Sequence, residues 1–281
     1  MNLAQKIAVA SLRIKFQLLT VFSKKKAAQK AVQLFCTPQL RNKEELPPLF
    51  KESEKLYLDF NGVTLHGYRW NHPAKRKALI LHGFDSSVVN FEQYVQPLLQ
   101  KGYEVLAFDA PAHGQSGGDI ITLPVYRDMI LYIHEHYGPI QSFMAHSMGG
   151  LALSLAMEKI EHDDDFRLVL IAPATESTTA VDNFFKFLHI KDEDVRKLFN
   201  KLIVEMSGHP LSWFSITRAM HHIDAKVLWV HDDDDKITPL SDTFKIKEQN
   251  YPGVKFVITH SLGHRRIYRD QKVVNSVIDF L

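Results

Sequence analysis

The pattern of hydrophobic and polar positions takes a period of two from residue 56 onward. Apolar residues recur at nearly every second position in residues 56–60 and 63–70, and Asn61-Gly62 separates the two runs. Asn-Gly readily adopts the positive φ values of a type I′ turn, which joins two antiparallel strands. The pattern therefore predicts a β-hairpin.

Beyond residue 70, short apolar runs alternate with segments of helical period. The runs occupy residues 78–81, 104–108, 142–145, 168–171, 227–230 and 255–258, and the helical segments lie near residues 90–101, 123–137, 148–160, 240–249 and 266–281. Runs that are apolar on both faces and are separated by helical crossovers are typical of a parallel sheet covered by helices. With the hairpin, the pattern predicts an α/β fold whose mostly parallel sheet has an antiparallel N-terminal edge and helices on both faces.

Residues 173–222 interrupt this alternation. No strand pattern occurs there, whereas helical patterns cover residues 181–188 and 192–206. The interval is too long for a simple crossover between strands. We therefore predict a helical cap insertion at about residues 174–222.

The N-terminal segment has an amphipathic helical pattern with a basic polar face. Its apolar stripe follows spacings of three and four residues and consists of Leu3, Ile7, Ala10, Ile14, Leu18 and Val21. A helix of this kind lies in a membrane interface when its lysines contact anionic headgroups. Alternatively, it packs on the acidic body of the protein or on a partner subunit. The sequence leaves both interpretations open.

The charge is unevenly distributed along the chain. The 34 Lys and Arg residues nearly balance the 32 Asp and Glu residues, and the net charge of +2 gives no indication of a nucleic-acid partner. Residues 1–43 nevertheless contain nine of the bases and no acid, which leaves 25 bases against 32 acids in the remainder. We therefore divide the chain into a basic amphipathic arm and linker over residues 1–52, with peripheral membrane contact through residues 1–43 as one expectation, and a domain over residues 53–281.

The single cysteine and the interrupted apolar segments bear on the compartment. Cys36 has no second cysteine to pair with, which favours a reducing, cytoplasmic location. Arg13 and Lys15 interrupt the apolar residues 7–22. Neither a membrane-spanning helix nor the core of a secretory signal is therefore expected.

The first candidate for chemistry lies where the apolar run 142–145 meets a helical segment. The residues are Ala145-His146-Ser147-Met148-Gly149-Gly150. A serine on a tight strand-to-helix turn projects out of the sheet, and small residues two positions away allow the backbone to pack closely. The following helix directs its free N–H groups toward the serine, so the Met148 N–H is a candidate donor to an oxyanion. The alternative is an ordinary helix start with a serine cap.

A second loop, Leu81-His82-Gly83-Phe84, ends the run 78–81 in a glycine turn. The Phe84 N–H at this place is the candidate for the second oxyanion donor. The alternative is an ordinary turn after a strand.

With these motifs, the chain from about residue 56 to the C terminus resembles the α/β-hydrolase superfamily, in its serine-nucleophile branch of esterases and lipases. The segment Asp109-Ala110-Pro111-Ala112-His113-Gly114-Gln115-Ser116 is similar to the loop after the fourth strand of that family. We interpret His113 there as part of the scaffold. The resemblance implies the α/β-hydrolase fold and a catalytic triad in the order serine, acid and histidine, with Ser147 as the nucleophile.

The family's acid typically stands three residues after a glycine and four residues before a proline. The run 227–230 is followed by His231, by four aspartates at positions 232–235 and by Pro239. In this register Asp235 is the acid, Asp233 and Asp234 are the reserve candidates, and Asp232 departs from the pattern by occupying the glycine position. Four adjacent carboxylates also suggest a cation site, but the run lacks the spaced oxygen ligands of a calcium loop, and we expect no metal.

The general base follows the last predicted strand. Gly263-His264 matches the glycine-histidine loop of the family, and His260, nearer the strand, is the alternative. A histidine is needed because a serine hydroxyl is a poor nucleophile at neutral pH until a base takes its proton. The triad expected from the resemblance is therefore Ser147, Asp235 and His264.

These assignments predict a serine hydrolase that cleaves a carboxylic ester through an acyl-enzyme, without metal or organic cofactor. A serine at position 147, rather than an aspartate, argues against haloalkane dehalogenases and epoxide hydrolases. A small soluble ester is the default substrate. Monoacylglycerols, lysophospholipids or thioesters at a membrane surface are the alternative, as is a hydrolase-fold binding protein without turnover. Six side chains of the insertion either line an acyl pocket or form its core: Phe184, Phe185, Phe187, Leu188, Trp213 and Phe214.

Overall fold

The computed structural model of the chain describes residues 3–41 and 45–281, with side chains from residue 6 onward. Residues 1, 2 and 42–44 of the predicted arm, including Lys43, therefore lie outside the described residues, as does the side chain of Leu3. The described chain divides into two compact units. The sheet unit comprises Pro38–Thr175 and Ser215–Leu281, and the helical unit comprises residues 3–37 and Glu176–Phe214.

The sheet unit contains one mixed sheet of eight strands. The strands are β1 (Glu54–Phe60), β2 (Val63–Trp70), β3 (Arg76–Leu81), β4 (Tyr103–Phe108), β5 (Ser142–His146), β6 (Arg167–Ile171), β7 (Lys226–Asp232) and β8 (Val254–Thr259). Their order across the sheet is β1-β2-β4-β3-β5-β6-β7-β8. The pairs β1–β2 and β2–β4 are antiparallel and the other pairs are parallel. The predicted fold class, with its antiparallel N-terminal edge, is confirmed.

The turn between β1 and β2 shows why the hairpin forms at this place. Asn61 and Gly62 have φ values of 53° and 76°. Two consecutive residues with positive φ are the requirement of a type I′ turn, whose twist matches that of the strands on either side. The local sequence thereby sets the antiparallel register, in which Phe60 lies opposite Val63.

Helices cover the sheet at the predicted places, except that the last predicted helix is divided. Within the described part of the sheet unit, they are α3 (Pro48–Glu52), α4 (Glu92–Gln100), α5 (Leu123–Tyr137), α6 (Met148–Met157), α9 (Ile216–Ala219), α10 (Phe244–Gln249), α11 (Gly263–Arg266) and α12 (Gln271–Phe280). The single helix expected over 266–281 is divided, because the Asp270 carboxylate accepts hydrogen bonds from the Lys272 and Val273 amides. A side-chain cap of this kind starts a new helix at that position.

The helical unit unites the N-terminal arm with the insertion. It consists of α1 (Leu3–Phe22), α2 (Lys24–Cys36), α7 (Ser177–Leu188) and α8 (Glu193–Ser207). The compact units therefore differ from the division expected at residue 52, because residues 3–37 belong with the insertion. Helix α2 extends through Cys36 and therefore occupies part of the segment expected to be arm and linker.

One hydrophobic core and several charge contacts hold these helices together. Phe16 of α1 and Ala28 of α2 belong to the same buried cluster as Val195 and Phe199 of α8. The Lys24 ammonium lies 3.1 Å from the Asp192 carboxylate and 2.6 Å from the Asp194 carboxylate. These contacts attach the arm to acidic side chains of the insertion. The uneven distribution of charge along the sequence did not predict this attachment.

The six side chains considered for an acyl pocket have different positions in the helical unit. Phe185 and Leu188 belong to its buried core, and Phe184 packs against that core. Phe214 is buried, Trp213 stacks on His209 with ring centroids 4.1 Å apart, and Phe187 is 44% exposed beneath the Arg13 guanidinium. For Phe184, Phe185 and Leu188, the structure favours the core interpretation.

None of the helices in residues 3–41 and 45–281 combines the length and the apolar character that crossing a bilayer requires.

Candidate active site

Ser147 lies directly after β5 and immediately before α6, on the predicted strand-to-helix turn. Its backbone has φ 54° and ψ −121°. A positive φ is strained for a residue other than glycine and is characteristic of a nucleophile held at the tip of such a turn. The turn is anchored because the Ser147 N–H donates to the Ile171 carbonyl of the neighbouring strand at 3.1 Å.

The glycines after Ser147 are required because atoms of neighbouring residues lie very close to their backbone. A Cβ atom at Gly149 would lie 2.6 Å from the His82 carbonyl oxygen, and one at Gly150 would lie 2.7 Å from the Pro173 Cβ. Both distances are shorter than real Cβ contacts, so neither position accepts a side chain without displacement of its neighbours. Ala145, two positions before Ser147, is fully buried, and its methyl group is accommodated.

His264, in the short helix α11 after β8, contacts Ser147. The distance from its Nε2 atom to the Ser147 Oγ is 2.9 Å, and its Nδ1 atom lies 2.7 Å from the Asp235 Oδ2. A carboxylate only accepts hydrogen bonds, so the Nδ1–H donates to Asp235 and the Nε2 is left to accept the serine proton. The structure thus brings together the three side chains expected from the resemblance.

Asp235 is held in place by groups other than the histidine. Its Oδ1 accepts hydrogen bonds from the Ile237 and Thr238 amides at 2.8 and 3.0 Å, and its Oδ2 accepts from the Thr238 hydroxyl at 2.9 Å. Burial raises the pKa of the Asp235 carboxyl, but the hydrogen bond from His264 and these amides outweigh burial and hold the pKa below its usual range. The group is therefore a carboxylate at neutral pH.

The four consecutive aspartates have separate partners. Asp233 lies 2.6 Å from the Nδ1 atom of the exposed His260, and Asp234 lies 2.7 Å from the exposed Lys236 ammonium. The reserve acids and the alternative base are therefore paired away from Ser147. Among the four, Asp235 is the one whose carboxylate contacts His264.

Asp232 is a structural residue of the site that the sequence showed only as a departure from the pattern. Its Oδ1 accepts from the Gly263 amide at 2.8 Å, and its Oδ2 accepts from the Leu262 amide at 3.1 Å and the Thr259 hydroxyl at 2.7 Å. Burial raises the pKa of this carboxyl, but the hydrogen bonds outweigh burial and the pKa is lowered. The carboxylate thereby joins the acid loop to the loop that carries His264.

His146 binds the backbone carbonyl of His264. Its Nε2 atom lies 3.0 Å from the His264 carbonyl oxygen, and a carbonyl only accepts, so His146 is the donor. Burial, followed by the nearby His264, lowers the pKa of His146 well below its usual value. His146 is therefore a neutral ring that fixes the backbone of the candidate base.

The two candidate oxyanion donors flank the serine. Met148 is the first residue of α6, and the first amides of a helix have no partner within it. Phe84 follows Gly83, where a Cβ atom would lie 2.8 Å from the Ser147 Cβ. The Phe84 loop therefore lies against the turn that carries the serine.

His82 and His113 support this loop as neutral rings. The His82 Nδ1–H donates to the Gly83 carbonyl at 2.7 Å, and the His113 Nε2 accepts from the Asp85 amide at 3.2 Å. Burial lowers the pKa of each ring to about 4. These contacts agree with the interpretation of His113 as scaffold.

The mixed sheet and the serine turn at the end of a central strand define an α/β-hydrolase. The particular family follows from the match of residues 72–225, more than half of the chain, to the family model described as serine aminopeptidase, S33. The chain belongs to this family and is a hydrolase.

Two relatives and one solved structure show the extent of the similarity. The chain is 32% identical over 106 residues to the uncharacterized hydrolase YugF of Bacillus subtilis, an alignment that covers 36% of this chain and 38% of that protein. It is 25% identical over 199 residues to the monoglyceride lipase of Homo sapiens, covering 67% of this chain and 60% of the lipase. Both alignments thus span less than two thirds of the relative. The solved Pyrococcus furiosus esterase Pf2001 superposes with a TM-score of 0.65 at 19% identity, covering 88% of this chain and 97% of the esterase, a similarity of fold.

Proposed function

We infer that this hydrolase is a serine esterase that cleaves carboxylic esters through an acyl-enzyme on Ser147. The observation that carries the proposal is the chain of two hydrogen-bond distances, 2.9 Å from Ser147 to His264 and 2.7 Å from His264 to Asp235. A nucleophile, a base within reach of it and an acid that orients the base form the constellation that acyl transfer requires.

In the proposed first half-reaction, the His264 Nε2 takes the hydroxyl proton as the Ser147 Oγ attacks the ester carbonyl carbon. The carbonyl π electrons move to oxygen, and the Phe84 and Met148 N–H groups stabilise the oxyanion. The tetrahedral intermediate collapses, the alcohol leaves, and His264 returns the proton to it. Ser147 then carries the acyl group as an ester.

In the second half-reaction, His264 takes a proton from water, and the resulting hydroxide attacks the acyl-enzyme. The second oxyanion uses the same two N–H groups. Its collapse releases the carboxylic acid, and the proton returns from His264 to the Ser147 Oγ. Each step uses protein groups and water.

A lipid ester is the second candidate substrate, and two observations favour it. The chain is similar to a monoglyceride lipase over 199 residues. Helix α1 also exposes large apolar side chains, including Ile14 and Leu18. In that case the substrate is a monoacylglycerol, a lysophospholipid or a long-chain thioester instead of a small soluble ester.

Turnover of a graded set of esters tests the proposal and separates the candidates. We expect hydrolysis of p-nitrophenyl esters, with kcat/KM highest for short acyl chains if the substrate is a small ester. A maximum at long chains, together with hydrolysis of monoacylglycerol, identifies the lipid ester. Folded protein that hydrolyses none of these esters contradicts the proposal and favours the binding-protein alternative.

Asp232 is expected to act as a positioning residue for this chemistry. Asp232→Ala leaves the Gly263 and Leu262 amides without their acceptor and releases the loop that places His264. A displacement of about 1 Å costs about 100-fold in rate, so we expect kcat to fall by roughly that factor with KM little changed. The measurement is steady-state hydrolysis of the best p-nitrophenyl ester.

The matched control is Asp192→Ala, which removes a carboxylate that also accepts from two backbone amides, those of Asp194 and Val195. Loss of that helix cap is expected to lower the free energy of unfolding by about 1 kcal/mol and leave kcat nearly unchanged. Equal kcat for the two variants would mean that Asp232 serves stability alone.

A further inference from the structure

Helix α1 carries apolar side chains on two opposite faces. One face packs inside the helical unit: Phe16 is buried in the core there, and Leu12 and Leu19 pack against the same core. One apolar face is sufficient to attach a helix to the core in this way. The second face therefore requires a separate explanation.

That second face is the part of the sequence-predicted stripe from Ile7 to Val21, and it is exposed to solvent. The exposed fractions are 62% for Ile7, 56% for Ile14, 55% for Leu18 and 82% for Val21, and Phe22 beside the stripe is 83% exposed. From Ile7 to Val21 the stripe is about 21 Å long, at 1.5 Å per residue. Exposed apolar patches of such continuity mark surfaces that bind a partner or a membrane.

Basic side chains border this stripe on both sides. At 100° per residue, Lys6 and Lys15 lie about 80° and 100° to either side of Ile14, and both are exposed. Lys25 and Lys26 are exposed at the start of α2. Residues 1–43 contain no Asp or Glu, so no acidic side chain of this segment interrupts the positive border.

The charge around the stripe indicates what binds to it. A second copy of the chain, packed stripe to stripe about a two-fold axis, would bring the lysine borders of the two copies together and suffer like-charge repulsion. An anionic lipid surface supplies the opposite charge on both borders at once. Lysine stems extend along apolar surface and place their ammonium groups at headgroup level.

We propose that α1 is a membrane-docking helix that lies in the plane of an anionic lipid surface. The stripe from Ile7 to Val21, with Phe22 beside it, enters the boundary between headgroups and acyl chains, and Lys6 and Lys15 contact lipid phosphates or carboxylates. Phe16 and its neighbours keep the opposite face attached to the helical unit. The proposal rests on the surface of α1 alone and holds whether or not Ser147 is a nucleophile.

Sedimentation with phospholipid vesicles tests the proposal on the full chain. We expect the protein to sediment with vesicles of phosphatidylcholine and phosphatidylserine, to bind vesicles of phosphatidylcholine alone much more weakly, and to be partly released by salt. The double variant Ile14→Ser/Leu18→Ser is expected to weaken binding about 100-fold, because it removes two large apolar side chains from the stripe.

The matched control changes exposed apolar side chains on another helix of the same unit. Val204 and Met206 of α8 are 41% and 49% exposed. Val204→Ser/Met206→Ser is expected to bind the vesicles as the unchanged protein does. Circular dichroism and thermal unfolding establish that both double variants are folded.

Three results would overturn the proposal. The first is failure of the unchanged protein to sediment with anionic vesicles at low salt. The second is equal vesicle binding by the unchanged protein and the Ile14→Ser/Leu18→Ser variant. The third is a dimer, measured by analytical ultracentrifugation, that this variant alone converts to a monomer while vesicle binding is unaffected; the stripe would then be an interface between copies.

Discussion

Ser147→Ala is expected to lower kcat for ester hydrolysis by about 10⁵- to 10⁶-fold, the scale of removing the nucleophile from a serine hydrolase. In the proposed mechanism the Oγ atom forms the bond to the acyl carbon, and an alanine side chain supplies no nucleophile in its place. The His264 ring, 2.9 Å from the Oγ, loses its proton donor. The variant is also expected to lose covalent labelling by a fluorophosphonate, which reacts with activated serines.

The matched control for this substitution is Ser154→Ala. Ser154 is fully buried in the same helix, α6, and its hydroxyl donates to the Gly150 carbonyl at 2.9 Å. Its loss removes a buried hydroxyl near the site without touching the proposed nucleophile, so labelling and turnover are expected to persist. Labelling that survives in Ser147→Ala, or that maps to another residue, would reject Ser147 as the nucleophile.

The sheet was predictable from sequence because its signals are local. Each central strand is an apolar run between turns, and the Asn61-Gly62 turn specifies the only hairpin that the pattern predicted. The ends of these strands then fix where loops meet, since the carboxyl ends of parallel strands lie along one edge of a sheet. Ser147, Asp235 and His264 follow three such strands, and this topology brings them within hydrogen-bonding distance.

The position of the N-terminal helices could not be predicted in the same way. A helical wheel of α1 shows where apolar residues cluster, and it identified the stripe that contains Ile14 and Leu18. The face that packs contains Leu12, Phe16 and Leu19, and it belongs to a core formed with α2 and with helices of the insertion that lie far away in the sequence. Periodicity reports that a face is apolar, but only the tertiary structure determines which apolar face is covered.

The role of Asp232 shows a different limit. Measured against the family pattern, an aspartate at the glycine position weakened the register on which Asp235 was chosen. In the structure, the same carboxylate binds the Gly263 amide and thereby supports the loop of His264. Spacing alone does not distinguish an unfavourable substitution from a residue that has acquired partners in another loop.

The run of four aspartates allows the same substitution, Asp to Asn, to be compared at the proposed acid and at its neighbours. Asp235→Asn is expected to lower kcat by about 10⁴-fold, the effect of replacing the acid of a serine protease triad by its amide. The amide oxygen can keep the bonds from the Ile237 and Thr238 N–H groups, which leaves the NH₂ group facing the His264 Nδ1. The ring then accepts at Nδ1 and carries its proton on Nε2, where it cannot take the proton of Ser147.

Asp233→Asn and Asp234→Asn are the matched controls, because they make the same chemical change one and two residues away. Their carboxylates pair with the exposed His260 and Lys236, and surface substitutions of this kind change free energies by about 0.5 kcal/mol or less. Because Asp235, and neither of these two, contacts His264, their kcat is expected to stay within about twofold of the unchanged protein. NMR of ¹⁵N-labelled histidine reports the tautomer directly, with the His264 proton moving from Nδ1 to Nε2 in Asp235→Asn alone. A large loss of kcat in Asp233→Asn or Asp234→Asn, with Asp235→Asn little affected, would assign the acid to a different aspartate and show that the 2.7 Å contact with His264 is not the one used in catalysis.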